Sequence, residues 1–485
     1  MRLAELFPHE RIDEPLAGRE VTGVCCDSRA VAPGAAFFAI PGAKADGLGF
    51  AEQAARAGAV AIVAERAPPT PIGAAAFIKV RDVRRALAIA AAQIHPRQPE
   101  TIVAITGTSG KTSVADFARQ IWAAQGLNAA SLGTLGIVAS SGSAYGALTT
   151  PDPVSLHKSL DELARGGVTH LALEASSHGI SQRRLDGVRL KAGAFTNLSR
   201  DHLDYHATLE AYLSAKLQLF DRLLEPGQPA VVDADSDVAD KVIAACRGRG
   251  LQVISTGFKG ESLRLLDAQA ENFSTRLAIV HAGETFAIKL PLAGAFQAAN
   301  ALVAAGLCIA TGSPAAAVFA SLEHLQGALG RLELIGRRLG APVFVDYAHK
   351  PDALDKVLRA LRPFVPNKLI VVFGCGGDRD VGKRPIMGEA AARLADRVIV
   401  TDDNPRSEDP GLIRKEILAG AAGYDNVQEI ADRAAAIGRA VAMLEEGDGL
   451  LIAGKGHETG QIIGDSTFPF SDSDCARAAL KEYAA

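Results

Sequence analysis

Residues 102–112, Ile102-Val103-Ala104-Ile105-Thr106-Gly107-Thr108-Ser109-Gly110-Lys111-Thr112, constrain the fold more than any other stretch of the chain. A short apolar run reads as a buried strand and stops at a turn of Gly and small hydroxyl residues. A helix then opens, carrying Val114, Phe117, Ala118 and Ile121 at helical spacing. Strand, Gly-rich turn and helix in that order cradle phosphate. Glycines let backbone N–H groups converge on phosphate oxygens, Lys111 supplies a point charge, and the Thr112 hydroxyl is a hard oxygen ligand for Mg²⁺. Ile105 stands where the longer G-x-x-x-x-G-K-[ST] pattern has its first Gly, so the shorter T-G-T-x-G-K-T form remains. The expected ligand is a nucleoside triphosphate, held by Gly107, Thr108, Ser109, Gly110, Lys111, Thr112 and Ser113.

Around this stretch lie 485 residues, enough for two to four domains. A hydrophobic content of 48% with 48 Gly suits an α/β protein, and the net charge of −4 offers no basic field for nucleic acid. No apolar run is long enough for a membrane span, and Met1–Phe7 has no apolar core of the signal-peptide kind. The six cysteines show no metal-type C-x-x-C spacing and sit mostly among apolar or small neighbours, as reduced thiols do. A cytosolic protein is expected, without nucleic-acid or membrane partners.

Residues 1–98 read as a small α/β domain. Val21–Cys26, Phe37–Ile40 and Val60–Val63 are candidate strands, and Ala51–Ala57 a helix. Ser28 and the Gly-rich loop Pro41–Gly47 suit either anion binding or ordinary turns. Residues 99–330 read as the nucleotide domain, a mainly parallel sheet with alternating helices. Its strand Thr169–Leu173 runs straight into Glu174, either a Mg²⁺ ligand facing the phosphates or a helix N-terminal Glu favoured by the dipole. Ala194–Leu198 delivers Ser199-Arg200-Asp201-His202-Leu203-Asp204-Tyr205-His206 towards the same edge. On the next helix Leu209, Tyr212, Leu213 and Phe220 form an apolar stripe with Lys216 in register. That lysine either snorkels to water or points inward with an amine able to lose its proton and react. Asn300, near the start of a small-residue helix, is either a helix-end amide or a contact near a base.

Residues 331–485 restart the alternation as a third domain. Four apolar runs, Val343–Val345, Leu369–Phe373, Arg397–Val400 and Gly449–Ala453, each end in a polar, Gly-rich or charged loop. Strands rarely need such endings for stability alone, so this edge reads as a second binding face.

Taken together, Thr106–Thr112, Glu174–Gly179, Ser199–His206, Gly330-Arg331-Leu332-Glu333 and Asp346–His349 resemble the Mur ligases across all three domains. Gly376–Arg379, Asp403-Asn404-Pro405-Arg406 and Gly454–Glu458 are similar to the members that add 2,6-diaminopimelate. One departure is visible: the family's Phe-Asn-x-x-Asn appears as Phe296-Gln297-Ala298-Ala299-Asn300.

The resemblance implies a three-domain α/β architecture. A UDP-substrate domain precedes a central P-loop ATPase domain, and a C-terminal Rossmann-like domain closes over the site. It also implies an ATP-dependent ligase of peptidoglycan precursor synthesis, a monomer acting on small molecules through an acyl phosphate. Ser28, Ala43, Lys44 and Ala45 would hold the uridine diphosphate end of the substrate. Thr149, Thr150, Ser176, Gln182 and Arg184 would line its muramoyl-peptide part. Thr112 and Glu174 would serve one Mg²⁺; His202 and Lys216, the latter carbamylated by CO₂, a second. Lys111, Glu174, His202 and Lys216 would be catalytic. Asn300, Arg331 and Asp346 would contact ATP. Arg379, Asp403, Asn404, Pro405, Arg406, Gly454 and Glu458 would recognise diaminopimelate. For Arg406 the plainer alternative is a surface pair with Glu408 or Asp409.

Three rival functions are weighed against this one. Folylpolyglutamate synthase also works through an acyl phosphate, but the first domain and Asp403–Arg406 argue against it. A lysine-adding ligase is closer, and Arg406 speaks against it. A nucleotide-dependent switch would be expected to carry a long helical arm, basic tract or repeat, and none is evident.

Overall fold

The computed structural model describes the whole chain except residues 9, 11, 13, 15, 43, 44, 145, 147, 203, 204, 484 and 485. Two compact units emerge: Met1–Ile254 with Leu307–Ser313, and Ser255–Gly306 with Pro314–Ala485. Among the described residues no helix is long and apolar enough to cross a membrane.

The first unit holds two sheets. Strands Gly23–Cys25, Ala35–Phe38, Ala61–Ala64 and Ala76–Lys79 pair in parallel in chain order, and helix Val83–Ile94 packs its Val83, Leu87, Ala90 and Ala91 face into their core. Asp82 caps that helix by accepting from the Arg85 amide, as a short acidic N-cap should.

In the second sheet, strand Thr101–Thr106 lies between Leu190–Phe195 and His170–Glu174, with Pro229–Asp233 and Ala129–Gly133 outside them, all parallel. All six residues of Thr101–Thr106 are buried, as a central strand covered on both faces requires. Gly136–Ala139 and Gly142–Ala144 extend the sheet as antiparallel edge strands that the alternation of strands and helices did not announce.

In the second unit, Leu263–Glu271, Ser274–His281 and Glu284–Leu290 form an antiparallel meander. This departs from the mainly parallel arrangement expected here. Polar residues recur at strand spacing along these runs, and much of Leu263–Glu271 and Glu284–Leu290 is exposed, so water covers one face where a parallel sheet would need a helix.

The second unit's larger sheet has the order Glu333–Arg338, Ala341–Asp346, Gly449–Ala453, Leu369–Phe373, Arg397–Val400, Val427–Glu429, parallel except for its first strand. Its four middle strands contain the four apolar runs singled out above. Because they run parallel, their loops emerge at one edge. Apolar clusters around Leu354, Leu358, Val371 and Met387, and around Ile370, Ile437 and Leu450, fill its two faces.

Candidate active site

In the first unit the site begins where strand Thr101–Thr106 gives way to helix Lys111–Ala124. Gly107 and Gly110 have φ of 143° and 88°, and a Cβ on Gly107 would collide with the Thr196 hydroxyl. The neighbouring strand end stitches the turn in place. The Asn197 carbonyl accepts from the Thr108 amide at 2.8 Å, the Asn197 side chain from the Ser109 amide at 3.0 Å, and Thr196 Oγ1 donates to the Ser109 carbonyl at 2.6 Å. No side chain caps the helix start, and the Lys111 ammonium is folded onto the carbonyls of Gly107 and Thr108, 2.9 Å from each. An uncapped helix N-terminus with a lysine beside it fits an anion with several oxygens.

Glu174 ends its strand beside Ile105, and its carboxylate accepts from the Thr134 amide at 2.8 Å and the Thr134 hydroxyl at 3.2 Å. A Cβ on Gly133 would strike this carboxylate, so the close approach needs glycine. Among the described residues no group of three His, Cys, Asp or Glu side chains is set to hold a metal ion. The donors present, a Thr112 hydroxyl and one carboxylate, fit Mg²⁺ better than a softer ion. Mg²⁺ takes few protein ligands and completes its shell from phosphates and water.

Lys216 lies on helix Leu209–Gln218 and is almost wholly buried, at 1% exposure, so it points inward rather than snorkelling. Its ammonium donates to the Gly107 carbonyl at 2.7 Å and lies 4.1 Å from the centre of the Tyr212 ring. Burial, and then repulsion from Lys111, hold its pKa well below the usual lysine value, with Asp201 opposing. Tyr212, Leu213 and Phe220 of the expected stripe are buried, but Leu209 is exposed at the first turn and does not belong to it. The His202 ring meets Tyr212 from another side, 6.0 Å centre to centre, and also meets His178 at 5.0 Å. Lys216 and His202 therefore flank one aromatic ring. His202 has a φ of 52°, left-handed for a residue with a side chain.

The expected muramoyl-peptide residues form one hydrogen-bonded string. Thr149 meets Thr134 through their hydroxyls, and the Thr150 hydroxyl donates to the Glu174 carbonyl and accepts from the Ser176 amide. Arg184 donates to the Thr150 carbonyl at 2.6 Å and to the Gln182 amide oxygen at 2.8 Å, and Gln182 reaches the Tyr205 hydroxyl. Ser28 contacts Gln53, and the Ala45 carbonyl accepts from the Gly42 amide; neither bonds to that string. Ala43 and Lys44 lie outside the described residues. Thr134 and Tyr205 belong to this constellation by contact, although a lone Thr in a Gly-rich stretch gives no signal in sequence.

In the second unit, Asn300, Arg331 and Asp346 are also joined. Asn300 donates to Gln297 Oε1 at 3.2 Å, and Gln297 donates to the Arg331 carbonyl at 3.2 Å. Arg331 stacks on Tyr347 and opposes the rise that burial imposes on the Asp346 pKa. Asp346 accepts from the Leu332 and Ala348 amides at 2.7 and 2.8 Å.

At the edge of the same unit's larger sheet the expected diaminopimelate residues meet. Asn404 donates to Glu458 Oε2 at 2.9 Å, and a Cβ on Gly454 would sit 2.7 Å from Asp403 Oδ2. The Arg406 guanidinium donates to the Gly377 carbonyl at 2.8 Å. Its backbone, at φ 51°, is pinned to Ile462 and Gly464 of hairpin Gly460–Pro469. Among the described residues Arg406 makes no ion pair. Glu408 is bound by buried Arg384 instead, so the plain surface pairing with Glu408 or Asp409 does not form. Arg379 is exposed and donates to the Asp378 carbonyl, and Pro405 packs its carbonyl over Gly377.

Beneath these loops Arg433 and Asp472 form a fully buried pair at 2.7 Å, and Arg433 also donates to the Ala453 and Asp402 carbonyls. It thus ties the loop after Arg397–Val400 to the end of strand Gly449–Ala453. Its sequence neighbourhood carries no hint of this, since Asp472 is far along the chain.

A phosphate cradle at one sheet edge and a cluster of charged side chains at another suit an ATP-dependent acid–amine ligase as a class, and the chain belongs to the Mur ligase family. The family's catalytic domain matches residues 20–95, its middle domain 105–308, and its glutamate ligase domain 330–456. The chain is 58% identical to the UDP-N-acetylmuramoyl-L-alanyl-D-glutamate–2,6-diaminopimelate ligase of Bradyrhizobium diazoefficiens, with 99% of each covered. It is 56% identical to the ligase of that name from Mesorhizobium japonicum, with 97% of this chain and 96% of the relative covered. A solved structure of a ligase with the same name superposes with a TM-score of 0.75 at 34% identity, covering 100% of this chain and 99% of that one.

Proposed function

We propose that the chain joins meso-2,6-diaminopimelate to UDP-N-acetylmuramoyl-L-alanyl-D-glutamate at the expense of ATP. Its domains would be 1–98 for the UDP substrate, 99–330 for ATP and 331–485 for the amino acid, a division supported by the three family matches. The product would serve peptidoglycan precursor synthesis in the cytoplasm, by a monomer acting on small molecules alone.

A carboxylate is a poor acyl donor, so the D-glutamyl side-chain carboxylate first takes the γ-phosphoryl group of ATP, releasing ADP and giving an acyl phosphate. The free amine of the diamino acid then attacks the acyl carbon. The new C–N bond replaces the C–O bond to phosphate, and the amine loses its proton. Lys111 leaves the loop carbonyls to meet the phosphates, and the helix start beside it donates N–H groups to them. Thr112 and Glu174 would hold one Mg²⁺, and His202 with carbamylated Lys216 a second; bound Mg²⁺ screens the two anions that must meet. Lys216 suits carbamylation because burial lowers its pKa and so favours the neutral amine that attack on CO₂ requires. Thr149, Thr150, Ser176, Gln182 and Arg184 orient the peptide carboxylate near Glu174.

The observation that carries the choice of amino acid is the Arg406 guanidinium, set on main-chain carbonyls and without an ion pair among the described residues. A planar, two-pronged cation suits the second carboxylate that diaminopimelate has and lysine lacks. The test is phosphate release with ATP, the UDP-muramoyl dipeptide and a panel of amino acids. Release dependent on both dipeptide and diaminopimelate is expected. Equal release with lysine, or release with neither, would refute the reading.

A further inference from the structure

Lys455 lies on the loop Gly454–Glu458 with 0% exposure, an unusual place for an ammonium group. It donates to Asn404 Oδ1 at 2.9 Å and to Glu458 Oε2 at 3.4 Å, and lies 3.9 Å from Asp403 Oδ1. The Asn404 amide is thereby fully specified. Its oxygen accepts from Lys455 and from the Ile462 amide at 2.9 Å, so its nitrogen must face Glu458, to which it donates. One Glu458 oxygen is thus engaged on the protein side, by Asn404 and Lys455 together. Glu458 remains partly exposed.

We propose that Lys455 is a positioning residue that sets amino-acid specificity, by fixing Glu458 and balancing its charge. The inference rests on the reading of this pocket as the diaminopimelate site. The head group to be recognised there is a zwitterion, with an ammonium for Glu458 and a carboxylate for Arg406. Asp403 and Glu458 share these loops with Lys455 and with Arg406, which lies on the Gly377 and Asn404 carbonyls, while Arg433, also close to both carboxylates, is paired with Asp472; charges so balanced suit a head group of no net charge. Without Lys455 the carboxylates outnumber the cations. The pocket then favours an amino acid whose side chain ends in an ammonium alone, as lysine does. The effect passes through Asn404 and Glu458 and not through contact with the reacting amine, so it falls on KM and on discrimination rather than on kcat.

The experiment measures amino-acid-dependent phosphate release at saturating ATP and dipeptide for wild type, Lys455→Met, Glu458→Gln and the double variant, with melting curves to check folding. In Lys455→Met the KM for diaminopimelate is expected to rise about ten-fold or more and kcat to change less than about three-fold. The preference for diaminopimelate over lysine is expected to fall about ten-fold. Because Lys455 acts through Glu458, the double variant should lose no more than Glu458→Gln alone. If Lys455→Met does not fold, the double variant, freed of one uncompensated carboxylate, is compared with Glu458→Gln, and a further ten-fold rise in KM overturns the proposal. An unchanged KM and preference in Lys455→Met, or a loss confined to kcat, overturns it as well. Wild type that ignores diaminopimelate would refute the functional reading itself; wild type that uses it while Lys455→Met behaves identically refutes only this inference.

Discussion

At the end of strand Thr101–Thr106 two lysine ammonium groups, Lys111 and Lys216, are set on the same main-chain carbonyl, that of Gly107. In the second unit the buried cations Lys455, Arg433 and Arg384 are each set against carboxylates. The first arrangement crowds two amines, and burial together with Lys111 lowers the pKa of Lys216. The second is neutralised within the fold. A turn of N–H donors with a lysine beside it gains most from a polyanion, and a balanced pocket gains most from a ligand that is itself balanced. The difference matches a triphosphate on one side and a zwitterionic head group on the other.

Removing the crowded cation should break the first region most completely. Lys216→Met is expected to lower kcat about a thousand-fold or more, the scale of losing a transition-state charge contact. It should also raise the melting temperature. The folded state disfavours a proton that the unfolded chain binds, so Lys216 lowers stability at neutral pH, and this deficit shrinks as pH rises towards the ordinary lysine value of 10.5. Thermal melts of both proteins in CO₂-free buffer should therefore converge at high pH; a variant less stable than wild type at pH 7 would contradict the account.

In the second region the sign reverses, because there each buried cation has a carboxylate partner. Arg433→Met should destabilise the protein by about 3–5 kcal/mol, while Arg433→Met with Asp472→Leu should recover most of that loss. Urea unfolding followed in all three proteins checks this, and a double variant as unstable as the single one would count against it. Arg406→Ala tests the unpaired member of the pocket. Diaminopimelate binding should weaken by roughly 2–5 kcal/mol, with much less change for lysine. Equal losses in kcat/KM for the two amino acids would remove Arg406 from the site.

The smallest effect is expected at His157 of the first unit, whose pKa burial pushes down to about 4 and whose Nδ1 has no hydrogen-bond partner among the described residues. A neutral buried imidazole contributes stability that is complete above pH 6.5 and is lost as pH falls from 6.5 to 4, where only the unfolded chain takes the proton. His157→Gln should flatten the pH dependence of stability in that window by up to about one bound proton. An identical slope in the variant would refute the assignment.

The cradle was legible in sequence because one strand, one turn and one helix start carry it contiguously, and glycine is needed where φ is positive. The four loop-bearing strands were legible too, since apolar runs ending in polar loops are local patterns. Lys216 could be singled out by its register with Tyr212 and Phe220, but periodicity wrongly enrolled Leu209, which the helix start leaves in water. The antiparallel meander over 263–290 was missed because its half-exposed strands lack the apolar runs on which the parallel strands were recognised. Thr134, Lys455 and Arg433 were invisible for a different reason: their partners Glu174, Asn404 and Asp472 lie 39 to 51 residues away, and only folding juxtaposes them.

The left-handed backbone of Arg406 has a consequence for anyone improving this protein by selection. A side-chain-bearing residue at φ 51° is held there by its hydrogen bonds to Ile462 and Gly464, and glycine would adopt that conformation with about 1 kcal/mol less strain. A screen that rewards heat resistance alone would therefore enrich Arg406→Gly, and the survivors would be sturdier catalysts that no longer distinguish one diamino acid from another. Screening for thermal tolerance at this position needs a counter-selection with lysine, because here durability and fidelity pull in opposite directions.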